Sequence, residues 1–208
     1  VVLNPTGRTH LASGKRAGQF AGDDNGVPAL SGRLALRAPK VGEAGISWYG
    51  TTYNTFRVDG MAVDARRDLA ITAVDLAASL PRGITLRGEA ALARVDLPDG
   101  LTDLLGSRQW GIHLDLVAPV WRAERGVLRG SILSVTTRLE HVDRNVGRFD
   151  ATGQLIGDDL GAIVLGASLR PAAGTVLKVN LRREWSHDLL RNAASRRAAL
   201  QFGIASYF

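Results

Sequence analysis

Catalysis by nucleophilic attack needs a nucleophile, a base and a group that orients the base. The chain offers four candidate bases, His10, His113, His141 and His187. His113 and Asp115 would share a face of an extended strand, and His187 is followed directly by Asp188, but no nucleophile stands at a recognisable spacing from either pair. The sequence has no GxSxG, HExxH or P-loop motif, and these are the signatures that would place such groups together. The run Gly22-Asp-Asp-Asn-Gly26 is acidic enough to suggest calcium, yet it lacks the spaced ligands and terminal Glu of an EF-hand. There is no cysteine, which excludes disulfides, thiolate metal sites and iron–sulfur clusters. The expectation is a protein that is not an enzyme and holds no metal or cofactor.

What remains is charge. Twenty-six basic side chains face 20 acidic ones, a formal net charge of +6, and all the cations except Lys15, Lys40 and Lys178 are arginine. Guanidinium groups suit oxyanions, so the excess points to anionic partners. The cations recur at intervals instead of forming one patch, the densest cluster being Arg191, Arg196 and Arg197. That spread argues against nucleic acid, and lipopolysaccharide phosphates are an alternative partner for arginines in loops.

The elements that must position these groups are read from period. Alternation of apolar and polar residues marks nine strands, centred on residues 29–38, 44–49, 74–80, 84–92, 110–116, 133–139, 163–169, 177–181 and 200–208. Pro39, Pro81, Pro119 and Pro171 sit between successive strands and mark tight turns, since Pro presets φ. Longer polar stretches at residues 53–68, 95–108, 141–159 and 186–196 alternate with these turns. Three segments fit less cleanly. Residues 69–80 also match a helical stripe, residues 186–199 are rich in the helix formers Ala, Leu and Arg, and residues 128–131 suggest a bulge. Residues 1–28 read as a loop after a strand remnant at 1–3, and residues 29–208 as the strands proper. No leader is visible at Val1, and the absence of an initiator Met fits an upstream segment removed or not shown.

Composition alone fits a folded chain, with 45% apolar and 22% charged residues. The longest stretch without a charge is residues 44–56, too short for a membrane helix of about 20 residues. A transmembrane barrel is another matter. It needs strands of about 9 to 11 residues, apolar outward and polar inward, with short periplasmic turns and long extracellular loops. The chain has that alternation, that asymmetry of connections, and an ending on an alternating strand at Phe208. Trp110 and Trp185 fall at the outer ends of their strands and Trp121 at an inner turn, as interfacial aromatic girdles would place them. The expected fold is therefore all-β: an antiparallel transmembrane β-barrel of about nine visible strands, part of a larger barrel.

The run Leu160-Gly-Ala-Ile-Val-Leu-Gly-Ala-Ser-Leu-Arg-Pro-Ala-Ala-Gly-Thr-Val-Leu-Lys-Val-Asn-Leu-Arg-Arg-Glu184 and the terminal Leu200-Gln-Phe-Gly-Ile-Ala-Ser-Tyr-Phe208 resemble the last three strands of Gram-negative porins. The phosphate-selective porin O/P family is the nearest in appearance. Ile84-Thr-Leu-Arg-Gly-Glu-Ala90 and Gly32-Arg-Leu-Ala-Leu36 are similar to strands of that group. The resemblance covers roughly residues 29–208 and implies the C-terminal half of a 16-stranded, homotrimeric outer-membrane porin. It implies a passive diffusion channel for small hydrophilic solutes, with membrane lipid and lipopolysaccharide around it. A non-conducting barrel subunit of a larger envelope assembly is the alternative.

Rings of Arg or Lys favour anions in a pore. By the alternation Arg33, Arg37, Arg87, Arg138, Arg170, Lys178 and Arg182 fall on the polar face with Asp75, Glu89, Asp115, Glu140 and Glu184. Arg87 with Glu89, Arg138 with Glu140 and Arg182 with Glu184 are spaced for pairing on one face, which would give a wet wall without strong selectivity. The anion-facing candidates are Arg33, Arg37, Arg87, Arg138, Lys178 and Arg182, with Arg33, Arg37, Lys178 and Arg182 foremost.

Overall fold

A computed structural model describes residues 25–126, 128–172 and 174–206. Residues 1–24, with His10 and most of the acidic run, and the terminal Tyr207 and Phe208 lie outside the described residues. The strands are β1 (Leu30–Ala38), β2 (Gly42–Thr52), β3 (Arg57–Val58), β4 (Met61–Ala62), β5 (Asp68–Ser79), β6 (Thr85–Val95), β7 (Arg108–Arg122), β8 (Ile132–Asp143), β9 (Asp159–Ala172), β10 (Thr175–Ser186) and β11 (Ser195–Ser206). Nine of them make one antiparallel sheet in the order β1-β2-β5-β6-β7-β8-β9-β10-β11, while β3 and β4 form a separate small hairpin. All nine strands expected from the alternation are present. Within the large sheet each strand pairs with the next sheet strand along the chain, a meander interrupted only by the β3–β4 hairpin between β2 and β5.

The sheet is not closed into a barrel. β1 and β11 are its two edges, and because strand direction alternates across nine strands, both run toward the short-turn end. The connections at that end are residues 39–41, 80–84, 123–131 and 173–174; those at the other are 53–67, 96–107, 144–158 and 187–194.

Pairing overrode local preference at two places. Residues 68–79 satisfy their backbone groups against β2 on one side and β6 on the other, and the helical stripe there is not used. The helix-forming run at 186–199 instead ends β10, turns, and opens β11, with Ser186 opposite Ser195. The turn is held by Asp188, whose carboxylate accepts hydrogen bonds from the backbone and side-chain N–H groups of Asn192 at 2.9 and 2.7 Å. Those bonds hold the Asp188 carboxyl below the usual carboxylate range.

Two prolines expected in turns lie inside strands. Pro119 belongs to β7 and Pro171 to β9, and each sits beside a break in register. Pro119 faces Ser134 and Trp121 faces Leu133, so Val120 is the extra residue. Pro cannot donate to a ladder and is tolerated at such bulges. On the other strand pair, Arg170 and Pro171 together oppose Val176 between the flanking partners Leu169–Leu177 and Ala172–Thr175. The bulge expected at 128–131 is thus at Val120, and residues 128–131 belong to the turn, which Ser131 ties to β9 through a hydrogen bond to the Pro171 carbonyl.

The exposure pattern is the reverse of a water-soluble sheet. Along β7 the apolar Trp110, Ile112, Leu114 and Leu116 are exposed while His113 and Asp115 are half-buried. The same face continues through Leu34, Ile46, Val74, Leu92, Leu139, Leu165, Leu181 and Phe202, all exposed. Two cross-strand glycines give indole rings room on it: a side chain at Gly32 or Gly161 would run into Trp48 or Trp185. Among the described residues a small core stands at the long-loop end, where Tyr53, Leu69, Val95 and Leu97 are buried against Tyr49, Ile71 and Leu105. There the Tyr53 hydroxyl donates to the Asp96 carbonyl.

Gly161→Val is expected to displace the Trp185 ring at a cost of about 1–3 kcal/mol, read as lower unfolding stability together with a shifted tryptophan emission. The Tyr53 phenol is pushed up to about 12, mainly by burial. Its contribution to stability is therefore whole below about pH 10 and lost as the pH rises through about 12. An alkaline absorbance titration should find one late-ionising phenol that Tyr53→Phe removes, with about 1 kcal/mol lost because the Asp96 carbonyl is orphaned.

Candidate functional site

The polar face of the sheet is concave. Side chains from β6, β7, β8, β9, β10 and β11 line one cavity of about 730 Å³, among them Arg87, Asp115, Ser134, Arg138, Glu140, Ser168, Arg170, Lys178, Arg182 and Gln201. Strands that are not neighbours can share a cavity only if the sheet curls around it, and alternation puts every polar-face residue on the inner side.

Ion pairs cross this face at mid-height. The Arg138 guanidinium donates to both oxygens of the Asp115 carboxylate, with Nη2 2.6 Å from Oδ2. Its Nη1 lies 3.5 Å from Glu140. Glu140 in turn accepts from Arg182 at 2.7 Å, and Arg182 reaches Glu184 at 3.0 Å. Five side chains on three strands, β7, β8 and β10, thus form one chain of alternating sign. A second group stands near the β1 edge, where Arg33 bridges Glu43 at 2.8 Å and Asp75 at 2.7 Å. The register explains both. Asp115 faces Arg138 and Arg87 across two ladders, and cross-strand neighbours on one face are close enough to pair.

The six candidates separate into two kinds. Arg33, Arg138 and Arg182 are each held by two carboxylates. Arg87 and Lys178 make no ion pair among the described residues, and Arg37, with its side chain 82% exposed, comes only within 3.9 Å of Glu43. The spacing expected to pair Arg87 with Glu89 does not do so, whereas the other two spacings do.

Two further cations belong with the free group. Arg122 and Arg170 line the same cavity, and both face Ile132 across their ladders. Arg122 is there because of the bulge: Val120 and Trp121 together oppose Leu133, so the alternation resumes one residue late and Arg122 reaches the inner face. Strict counting from Trp110 would have put it outside. Arg170 was already legible on the polar face from its own strand. Arg122, Arg170 and Lys178 stand toward the short turns, beside the hydroxyls of Ser134 and Ser168, while Arg87 lines the same cavity directly across from Asp115.

The histidines are dispersed. His113 stands between Glu89 and Glu140 in register, and the Asp115 carboxylate beside it is taken by Arg138. His141 packs against Trp110 on the opposite face, ring centroids 4.9 Å apart and the planes tilted by 49°. His187 pairs with Asp159 at 2.8 Å, not with its sequence neighbour Asp188. Among the described residues no three His, Asp or Glu side chains converge as a metal site would require.

The chain matches no family model, no curated protein and no solved structure.

Glu140 bridges two guanidinium groups while only 19% of its side chain is exposed. Glu140→Gln should therefore destabilise the folded sheet by about 1–2 kcal/mol, whereas Lys178→Gln should stay within about 0.5 kcal/mol. Chemical unfolding of the two variants side by side checks the contrast.

Proposed function

We propose that this chain forms most of one wall of an outer-membrane porin, a passive diffusion channel whose wetted face carries surplus cations and so prefers small anions such as phosphate or carboxylates. The observation that carries this reading is the inverted exposure: a concave polar face backed by an exposed apolar face continuous over nine strands. Monomeric soluble proteins rarely leave apolar patches beyond a few hundred Å² uncovered, while a bilayer covers such a face and leaves the inner one wet.

Dimensions support it. Trp110 and Trp121 stand near the two ends of β7, about 35 Å apart at ~3.3 Å per residue. A strand tilt of ~45° would reduce this to about 25 Å, the height of the lipid-facing band of a barrel. Trp48 and Trp110 lie on one cross-strand row, through Thr72 and Leu92. Trp185 lies one step from it, by way of Gly161 and His141. Trp121 marks the opposite boundary. With the long loops outside and the tight turns in the periplasm, both rows fall at membrane–water interfaces.

Closure requires more strands. Both edges run the same way, so pairing β1 directly with β11 would be parallel. An all-antiparallel barrel needs an odd number of additional strands between them, which gives the even total of single-chain bacterial barrels. Two copies sharing both edges antiparallel would have to lie in opposite orientations across the membrane, so a second copy is not the missing wall.

The division of the cations supports the anion preference. Paired arginines cancel locally, and the field of the wall is set by Arg87, Arg122, Arg170 and Lys178. In a planar bilayer under a salt gradient, wild-type protein should give open steps with a reversal potential on the anion side. Replacing those four residues by Gln should move it toward cations with little loss of stability. Folded, heat-modifiable protein that never conducts would point to a structural barrel, and an unchanged potential would remove these four residues from the selectivity.

A further inference from the structure

The outer face also holds two arginines that the channel reading leaves unused. Arg94 and Arg108 are direct register partners on β6 and β7, one side-chain step beyond Leu92 and Trp110 on the same face. Both are exposed. Like charges placed directly opposite one another on a sheet are destabilising, with side chains about 5 Å apart at Cβ, so this pair calls for a compensating anion.

Asp96, two residues along the chain from Arg94, stands beside Asp68 and bonds neither arginine. Among the described residues neither guanidinium makes an ion pair or side-chain hydrogen bond, although other cations of that rim are engaged. Arg67 pairs with Asp64 and Arg144 with Asp158, each at 3.1 Å. Arg66 donates to the Thr52 hydroxyl at 3.0 Å and Arg148 to the Gly153 carbonyl at 2.9 Å. The carboxylates nearest in register or cavity have other bonds. Asp143, across from Trp110, accepts from the Asn145 backbone at 3.0 Å. Asp103, which shares a rim cavity with Arg108, accepts from the Asp150 backbone at 3.3 Å. Beyond Arg94 the next partner is Ala70; the β7–β8 ladder begins at Trp110, and beside Arg108 the chain continues as the loop whose Val146 N–H donates to the Arg108 carbonyl at 2.9 Å.

We propose that Arg94 and Arg108 form a clamp for the phosphate of a lipid headgroup, in the leaflet at the long-loop end of the sheet. Two adjacent guanidinium forks suit a phosphate with several acceptor oxygens. Continuity selects a lipid over a free anion: Leu92 and Trp110 directly below extend the apolar face, so an acyl chain lies along it while its phosphate sits between the arginines. Arg196 opposite Trp185 repeats the juxtaposition of arginine and indole near the β11 edge. The clamp rests on the membrane-barrel reading, and the test separates the two.

The protein together with the strands that close the barrel between β1 and β11 is refolded into phosphatidylcholine vesicles, insertion is checked by heat-modifiable mobility, and quenching of tryptophan emission is titrated with bis-phosphorylated lipid A carrying brominated acyl chains. Wild-type protein should prefer this lipid over phosphatidylcholine. Arg94→Gln and Arg108→Gln should each weaken binding about five-fold and the double variant about twenty-fold, since one cation near an anionic surface is worth about that factor. The double Lys variant should retain most of the affinity. Dephosphorylated lipid A should bind as weakly as phosphorylated lipid A binds the double Gln variant, and inorganic phosphate should fail to compete. Inserted protein whose double Gln variant binds like wild type overturns the clamp alone, as does equal binding of dephosphorylated lipid A. Competition by inorganic phosphate would make the pair a free-anion site and overturn the lipid assignment. Wild-type protein that does not insert overturns the clamp and the barrel together.

Discussion

In a pleated strand successive side chains point to opposite faces, and almost everything else in this protein depends on that constraint. Nine antiparallel strands in register turn a period of two into two continuous surfaces. One is Leu, Ile, Val and Trp; the other is Arg, Asp, Glu, Ser and Thr. With so few residues buried between layers, the sheet is held chiefly by its ladders, its cross-strand pairs and the medium on each side. A slip of one residue would exchange the faces, so register is the quantity the sequence has to protect.

The bulge at Val120 shows how that protection is adjusted locally. One extra residue beside Pro119 shifts the phase of the last turn of β7, keeping Trp121 outside with Leu133 and delivering Arg122 to the cavity. The irregularity at Arg170 and Pro171 does comparable work on the neighbouring strands. Both lie toward the short-turn end, where Arg122, Arg170 and Lys178 stand. Mid-height, the opposite arrangement holds: arginines locked between carboxylates tie β7, β8 and β10 together across the concave wall. Bracing and binding thus use the same residue type, separated by whether a carboxylate stands opposite in register.

Much of the fold was legible. Alternation located all nine strands, their order and the ends at which the long and short connections lie, because each of those follows from local period and turn chemistry. Where the local period was ambiguous, pairing between strands decided it. The helical stripe at 69–80 and the helix formers at 186–199 express intrinsic preference, worth fractions of a kcal/mol per residue. Ladder bonds to two neighbours, or to β10 at the edge, outweigh it. Pro119 looked like a turn because proline usually marks one, and only the partner strand makes it a bulge.

The sequence by itself determined the two faces, the meander and the mixing of arginines with carboxylates on the polar face, since these require nothing beyond the order of residues along single strands. Tertiary structure decided which arginines are spent in pairs and which stay available, that Arg122 joins the cavity, and that Arg94 meets Arg108 on the outer rim. Those facts depend on which residue of another strand stands opposite. Cross-strand register is fixed by the whole set of ladders together, and no window of sequence contains it.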